Sequence, residues 1–257
     1  MSISGQRINR LFWTAMDWLY PPHCGGCGTT GSRWCQDCDA SVLLLEPPYC
    51  GVCGMPRQEI GVCDDCRSHP PLLTGIRSWG WYAGPLRHAL IELKFENKID
   101  LGEVFADKLF EIYLHCNWQI DHIIPIPVSR SRRFQRGYNQ VELIAKPLSD
   151  MSNIPFKPTA LKRIKDTESQ VRLSHSERIK NVQDAFVADS SEVDKSACLL
   201  VDDIVTTGAT LENATKALLA AGASSVYALT VARAGRIPGD DNLTDDNLTV
   251  DNDIDSM

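Results

Sequence analysis

The stretch Leu199–Thr210, LLVDDIVTTGAT, decides how this chain is read. Three apolar residues, Leu199, Leu200 and Val201, run into the adjacent acids Asp202 and Asp203, and a hydroxyl-rich turn containing Gly208 follows. The segment ACLLVDD shows no polar alternation, which is the pattern of a strand buried on both faces. Behind the turn, TLENATKALLAAG spaces Leu211, Ala214, Leu218 and Ala221 along one side of a helix, with Gly222 as its stop. A strand over 197–201 is expected to deliver Asp202 and Asp203, with the bare turn and helix behind them, to the carboxyl edge of a sheet, where open α/β sheets bind ligands.

The residues of the turn define what it can hold. Successive backbone N–H groups over Thr206, Thr207, Gly208, Ala209 and Thr210, together with the helix N-terminus, form an anion cradle. Gly208 lets the backbone close on the anion, and the threonine hydroxyls add donors. Two carboxylates beside a phosphate would repel it, so Asp202 and Asp203 must serve something else. Vicinal sugar hydroxyls can donate to them, and a divalent cation is the other candidate. Diol and phosphate on one molecule make a ribose phosphate.

The surrounding sequence alternates in the same way. IRSWGWYAG reads as a strand, PLRHALIELKF and LGEVFADKLFEIYLH as helices, HIIPIPV as a short strand, NQVELIAKPL as a helix and SVYALTVAR as a strand. Strands alternating with helices predict a parallel α/β sheet flanked by helices over residues 72–236. Trp79 and Trp81 fall in strand alternation and are expected to pack. Lys94 ends an apolar helix face; it reads as a snorkelling lysine, with a ligand role as the alternative.

Eight of the ten cysteines lie between 24 and 66 as four Cys-x-x-Cys pairs: Cys24/Cys27, Cys35/Cys38, Cys50/Cys53 and Cys63/Cys66. Two residues between thiolates let both sulfurs reach one tetrahedral zinc. Regular spacing without a secretory signal argues against a disulfide framework. Two structural zinc ions are predicted; sequential pairing is the simplest, and an interleaved one stays open. His23 and His69 flank the cluster and could substitute as ligands. Residues 21–71 hold too few apolar side chains for a core, so metal must stabilise this double ribbon. Cys198 is expected to be a buried small hydrophobe.

Charge and hydropathy bound the ends. The chain has 257 residues, 43% hydrophobic and 23% charged, with 26 basic against 33 acidic residues. Asp240, Asp241, Asp245, Asp246, Asp251, Asp253 and Asp255 account for that whole imbalance. Residues 237–257 read as a disordered acidic tail, leaving a neutral folded part. The start carries Ile8, Leu11, Phe12, Ala15, Met16 and Leu19 at helical spacing, predicting an amphipathic helix over 1–20 rather than a signal peptide. No apolar run reaches the roughly 20 residues of a membrane helix, so no membrane insertion is expected.

Two further constellations carry chemistry. PIPVSRSRRFQRGYNQ sets Arg130, Arg132, Arg133 and Arg136 in a loop after a strand, with Phe134 and Tyr138 interleaved. Guanidinium forks suit phosphate oxygens; a solvated basic loop and a single-strand nucleic-acid patch are the other readings. Asn139 either caps the next helix or, with Gln140, orients a ligand. LKRIKDTESQVRLSHSERIKNV is polar and weakly periodic, a candidate lid with Arg163, Lys165, Gln170, Arg172, Arg178 and Asn181 as contacts.

LLVDDIVTTGAT resembles the 5-phosphoribosyl 1-pyrophosphate (PRPP) motif of type I phosphoribosyltransferases. With the four cysteine pairs, the arginine segment and the lid segment, the chain over roughly residues 10–235 is similar to the ComF/GntX family. That resemblance implies a cytoplasmic phosphoribosyltransferase-like protein linked to uptake or use of DNA in bacteria. It implies that Asp202, Asp203 and 206–210 bind PRPP, with Asp202 and Asp203 at the catalytic centre. The arginine segment would be the pyrophosphate loop and the lid segment a hood, and Mg²⁺ would accompany PRPP. Single-stranded DNA or DNA-processing proteins stand as further partners. The acceptor is not legible.

Overall fold

The structure is a computed structural model, and it describes residues 21–164, 185–235 and 237. The expected helix over 1–20, most of the expected lid and the acidic tail lie outside the described residues.

The centre is a four-stranded parallel sheet: β1 (Gly75–Trp81), β2 (His122–Pro125), β5 (Ala197–Val205) and β6 (Ser225–Arg233), in the order β1-β6-β5-β2. The register pairs Leu199 with Ile123 on one side and with Tyr227 on the other. Along β5 the side chains alternate between two cores. Leu199 and Val201 face a layer of three helices, α3 (Gly84–Phe95), α4 (Leu101–His115) and α6 (Gln140–Ser152). Cys198 and Leu200 face α7 (Ser190–Val193), α8 (Ala209–Ala220) and the antiparallel strands β3 (Leu161–Arg163) and β4 (Phe186–Ala188). Both faces are covered, which is why the strand is apolar without alternation. Cys198 is fully buried, and Trp79 and Trp81 pack as expected.

The three-helix layer forms because each helix carries one apolar stripe: Leu86, Leu90 and Leu93; Leu101, Phe105 and Leu109; Val141, Ile144 and Leu148. The α6 helix runs through Pro147, as expected, and on to Ser152, beyond the predicted end at Leu148. Proline has no N–H to give the Leu143 carbonyl. That carbonyl instead faces Gly102, where an added Cβ would stand 2.6 Å from its oxygen. The β3–β4 pair was not foreseen; its strands are three residues each, too short for a period to register.

The cysteine-rich part precedes the sheet and covers its edge. The α1 helix (Gln36–Ala40) and the α2 helix (Asp64–Ser68) each follow a knuckle. Ile76 donates its N–H to the Val52 carbonyl at 2.7 Å, and Trp81 donates to the Leu43 carbonyl at 2.8 Å. An edge strand is an aggregation hazard unless blocked. Here the ribbon blocks it, so the two parts share one surface.

Candidate functional site

Asp202 and Asp203 do not lie past the strand end: β5 continues through them to Val205, and both carboxyls are buried. The correction has a physical cause. The acids find internal partners, so the strand need not stop to wet them. Asp202 Oδ1 accepts the Asp203 N–H at 2.9 Å, and Asp203 Oδ1 accepts the Ile204 N–H at 2.7 Å. Asp203 Oδ2 accepts from Gln140 Nε2 at 2.9 Å and lies 3.1 Å from Lys94 Nζ. Burial and the neighbouring Asp203 charge push the Asp202 carboxyl well above the usual carboxylate range. Burial acts on Asp203 too, but Lys94, the Gln140 amide and Arg136 outweigh it and hold that carboxyl below the range.

Lys94 departs from the snorkelling role its sequence position predicts. The structure buries its side chain to 12% exposure against Asp203. A signal was available: Lys94 follows Leu90 by four residues, so it continues the apolar stripe instead of leaving it.

The arginine segment corrects a second expectation. It is not a loop but the helix α5 (Arg130–Arg136). Ser129 caps it by accepting from the Arg132 N–H, and Gly137 ends it at φ 78°. Arg136 turns to the acid pair, where its charge acts on Asp203. Its guanidinium lies 4.7 Å from the Phe95 ring centroid and donates to Gln140 Oε1 at 3.0 Å. Its Nε is buried without a described partner. Burial lowers the Arg136 pKa, with the Asp203 charge opposing. Arg133 pairs with Glu142 at 3.4 Å and is 61% exposed, a contact worth about 0–1 kcal/mol. Arg130 is exposed and Arg132 half-buried.

Asn139 caps α6 by accepting the Val141 N–H at 3.0 Å, so the capping alternative holds, worth about 1 kcal/mol. Tyr138 donates to the Leu93 carbonyl at 2.5 Å. Thus α5 and α6 are both tied to the last turn of α3.

Past Val205 the turn opens. Thr206 and Thr207 are exposed, Gly208 sits at φ 80°, and no side chain caps α8. The Ala209 N–H reaches Thr207 Oγ1 at 3.3 Å. A Cβ at Gly208 would meet nothing within 4 Å, so its glycine is required by φ rather than by space. An uncapped helix N-terminus beside an open turn presents N–H groups and a positive dipole end to an anion. Thr210 and Ala209, both half-buried, begin that helix.

The cysteines form two clusters, Cys24/Cys27/Cys35/Cys38 and Cys50/Cys53/Cys63/Cys66, with the ligand atoms of each within 4.8 Å of one another. Pairing is sequential. The two are one motif used twice: Cys35 and Cys63 cap the short helices α1 and α2, and their sulfurs accept the Cys38 and Cys66 N–H at 3.4 Å. Cys24 and Cys50 accept likewise from Cys35 and Cys63 at 3.3 Å. Four sulfurs oriented by N–H donors fit a tetrahedral zinc. His23 and His69 join neither cluster.

The double zinc ribbon domain family matches residues 15–67, and the phosphoribosyl transferase domain family matches residues 99–255. Competence protein F of Haemophilus influenzae is 31% identical over 179 residues, covering 67% of this chain and 78% of that protein. The chain belongs to the ComF family. Within it, DNA utilization protein YhgH of Escherichia coli K12 is 29% identical over 66% of this chain and 77% of its own length. Competence protein ComFC of Bacillus subtilis is 28% identical over 78% and 84%. Among solved structures, glutamine PRPP amidotransferase from B. subtilis aligns at a TM-score of 0.39 and 15% identity, covering 55% of this chain and 30% of that one.

In this ComF-family chain one expected lid residue is described. Arg163 lies on β3, 5.6 Å from the Phe186 ring centroid. Gln170 and Arg178 lie outside the described residues, as do Lys165, Arg172 and Asn181. Sequence reading missed Arg233, which is buried at the end of β6 and donates to the Cys53 carbonyl at 2.5 Å. No local signal distinguishes it, because its partner is 180 residues away.

Proposed function

We propose that the chain binds PRPP, or a closely related ribose phosphate, at residues 202–210 and transfers its phosphoribosyl group to a nitrogen acceptor. One observation carries this reading: a buried acid pair lies three residues before an open turn and an uncapped helix N-terminus. The turn amides over 206–210 take the 5′-phosphate, and the acid pair takes the ribose hydroxyls. Arg136 faces the same side, where the pyrophosphate must leave; Arg130, Arg132 and Arg133 line the outer approach. Mg²⁺, if it enters with PRPP, would supply charge neutralisation for the departing pyrophosphate. The residues act by placement and by stabilising charge, and none needs to be a nucleophile.

Calorimetric titration of the protein with PRPP and Mg²⁺ tests this. Saturable binding that is weakened about 100-fold in Asp202→Asn is expected. Absence of binding in the unaltered protein overturns the reading. Pyrophosphate release on adding bases or nucleotides separates turnover from binding alone.

A second reading is favoured by one feature. Phe134 is 94% exposed on α5 among Arg130, Arg132 and Arg133. An exposed aromatic ring among guanidinium groups suits stacking and phosphate contact with a single strand. The relatives' names, which refer to competence and DNA utilization, support a DNA-linked role. In this reading the fold senses PRPP while α5 holds DNA. Loss of salt-sensitive single-strand binding in Phe134→Ala supports it; unchanged binding removes it. The thiolate zinc sites suit a reducing compartment, and no helix among the described residues is long and apolar enough to cross a membrane. We read the first of these as favouring a cytoplasmic location.

A further inference from the structure

The two acids are adjacent in sequence but are held very differently. Asp203 has three donors: the Lys94 ammonium at 3.1 Å, the Gln140 amide at 2.9 Å and the Ile204 N–H at 2.7 Å. Asp202 accepts one backbone N–H, from Asp203, and no ion pair reaches it among the described residues. A carboxylate saturated by fixed donors is a poor receiver for a ligand hydroxyl, since each new bond must displace an old one. A carboxyl with spare capacity is a good one.

Lys94 is placed for this by its neighbours. It projects from the last turn of α3, whose Leu93 carbonyl is bonded by Tyr138 and whose Phe95 ring is covered by Arg136. Gln140 closes the ring, taking a bond from Arg136 and giving one to Asp203. Four elements (α3, α5, α6 and β5) therefore converge on Asp203, whereas Asp202 takes one backbone N–H from β5 and feels the Lys94 charge without a hydrogen bond to it.

We propose that Lys94 is a positioning residue that, with Gln140, fixes Asp203 as the anchor of the acid pair, so that Asp202 is the carboxyl that receives the ribose hydroxyls. This rests on the ribose phosphate reading of residues 202–210. It deepens that reading by dividing the labour between the two acids: one touches ligand, the other holds the frame.

The charged groups around Asp203 give the test its sign. Asp202 faces it from its own strand, Lys94 from α3 and Arg136 from α5; Gln140 on α6 is uncharged. Removing the ammonium leaves burial less opposed at both acids, since Lys94 lowers Asp202 as well as Asp203, so the carboxyls of the pair move up together. PRPP binding with Mg²⁺ is measured by calorimetry from about pH 5 to about pH 8, a range around the usual carboxylate and histidine values. In Lys94→Met the acid limb of binding is expected to move up by about one pH unit or more, and Lys94→Arg restores it. A Lys94→Met protein that melts earlier but keeps the unaltered acid limb overturns the inference, since a purely structural lysine would behave so.

A second comparison holds even where Lys94→Met alone fails to fold. The double variant Lys94→Met/Asp203→Asn removes both charges of the buried pair together, which is tolerated better than removing one. It is expected to bind PRPP about 10-fold more weakly than the unaltered protein, against about 100-fold for Asp202→Asn, the range spanned by losing bonds to a charged group. Equal losses in the two overturn the division of labour. Failure of the unaltered protein to bind PRPP is a different result: it overturns the ribose phosphate reading itself.

Discussion

Arg233 and Cys53 meet across the seam between sheet and ribbon: a terminal guanidinium nitrogen of Arg233, at the end of β6, donates to the Cys53 carbonyl at 2.5 Å. The guanidinium is buried beside the second cysteine cluster, where a tetrathiolate zinc carries net negative charge. From the adjacent strand β1, Arg77 lies over the Tyr49 and Trp118 rings at 5.5 and 5.8 Å and reaches the Cys50 and Gly51 carbonyls at 3.5 Å. Gly54 completes the joint. At φ 72°, an added Cβ would stand 2.3 Å from the Ile76 carbonyl oxygen.

The second zinc should therefore stabilise the sheet as well as the ribbon. Stripping metal with a strong chelator is expected to lower the melting temperature of the whole chain, with about two zinc ions released per protein. Arg233→Met should keep both zinc ions and lose about 3–5 kcal/mol of stability, the cost of deleting a buried, bonded charge beside an opposite one. Metal analysis with thermal unfolding checks both. A sheet that melts unchanged after chelation contradicts the joint.

The acid pair should respond in opposite directions to single substitutions. Asp202 has its carboxyl raised in the fold, so its ionisation costs stability above the unfolded carboxylate value. Asp202→Asn should raise the melting temperature at neutral pH, and the gain should vanish as the pH falls below about 4. Asp203 is depressed, so it contributes stability at neutral pH that is lost as pH falls through its folded value. Asp203→Asn should cost about 3–5 kcal/mol, because Lys94 is left buried without its carboxylate. Denaturant unfolding of each variant at neutral and acid pH measures this.

Gly208 isolates the anion cradle from the rest. With open space around it, Gly208→Ala brings no clash, only the strain of φ 80° on an L-residue, about 1 kcal/mol. If the turn relaxes to relieve it, PRPP affinity falls about 10-fold while the melting temperature changes little. Gly54→Ala should do the reverse, unfolding the ribbon joint with a large loss of stability. Calorimetry and thermal unfolding on both variants separate binding from scaffold.

Much of this was legible in the chain because the signals were local. The strand around Leu199, the helix after Gly208 and the four cysteine pairs each announce themselves within about a dozen residues. The arginine helix is legible too, in Ser129 and Gly137 as its cap and stop, although four arginines in seven residues also fit a solvated loop. The role of Lys94 needed the stripe through Leu90 to be carried one turn further. Arg233, Arg77 and the β3–β4 pair could not be read, since each depends on a partner brought near only by the fold.

The central claim is that residues 202–210 grip a sugar phosphate. A crystal structure of the protein grown with PRPP and Mg²⁺ tests it most directly. The account predicts phosphate density against the 206–210 amides and a ribose hydroxyl on Asp202. Ligand density elsewhere, with the turn after Val205 empty, would contradict it.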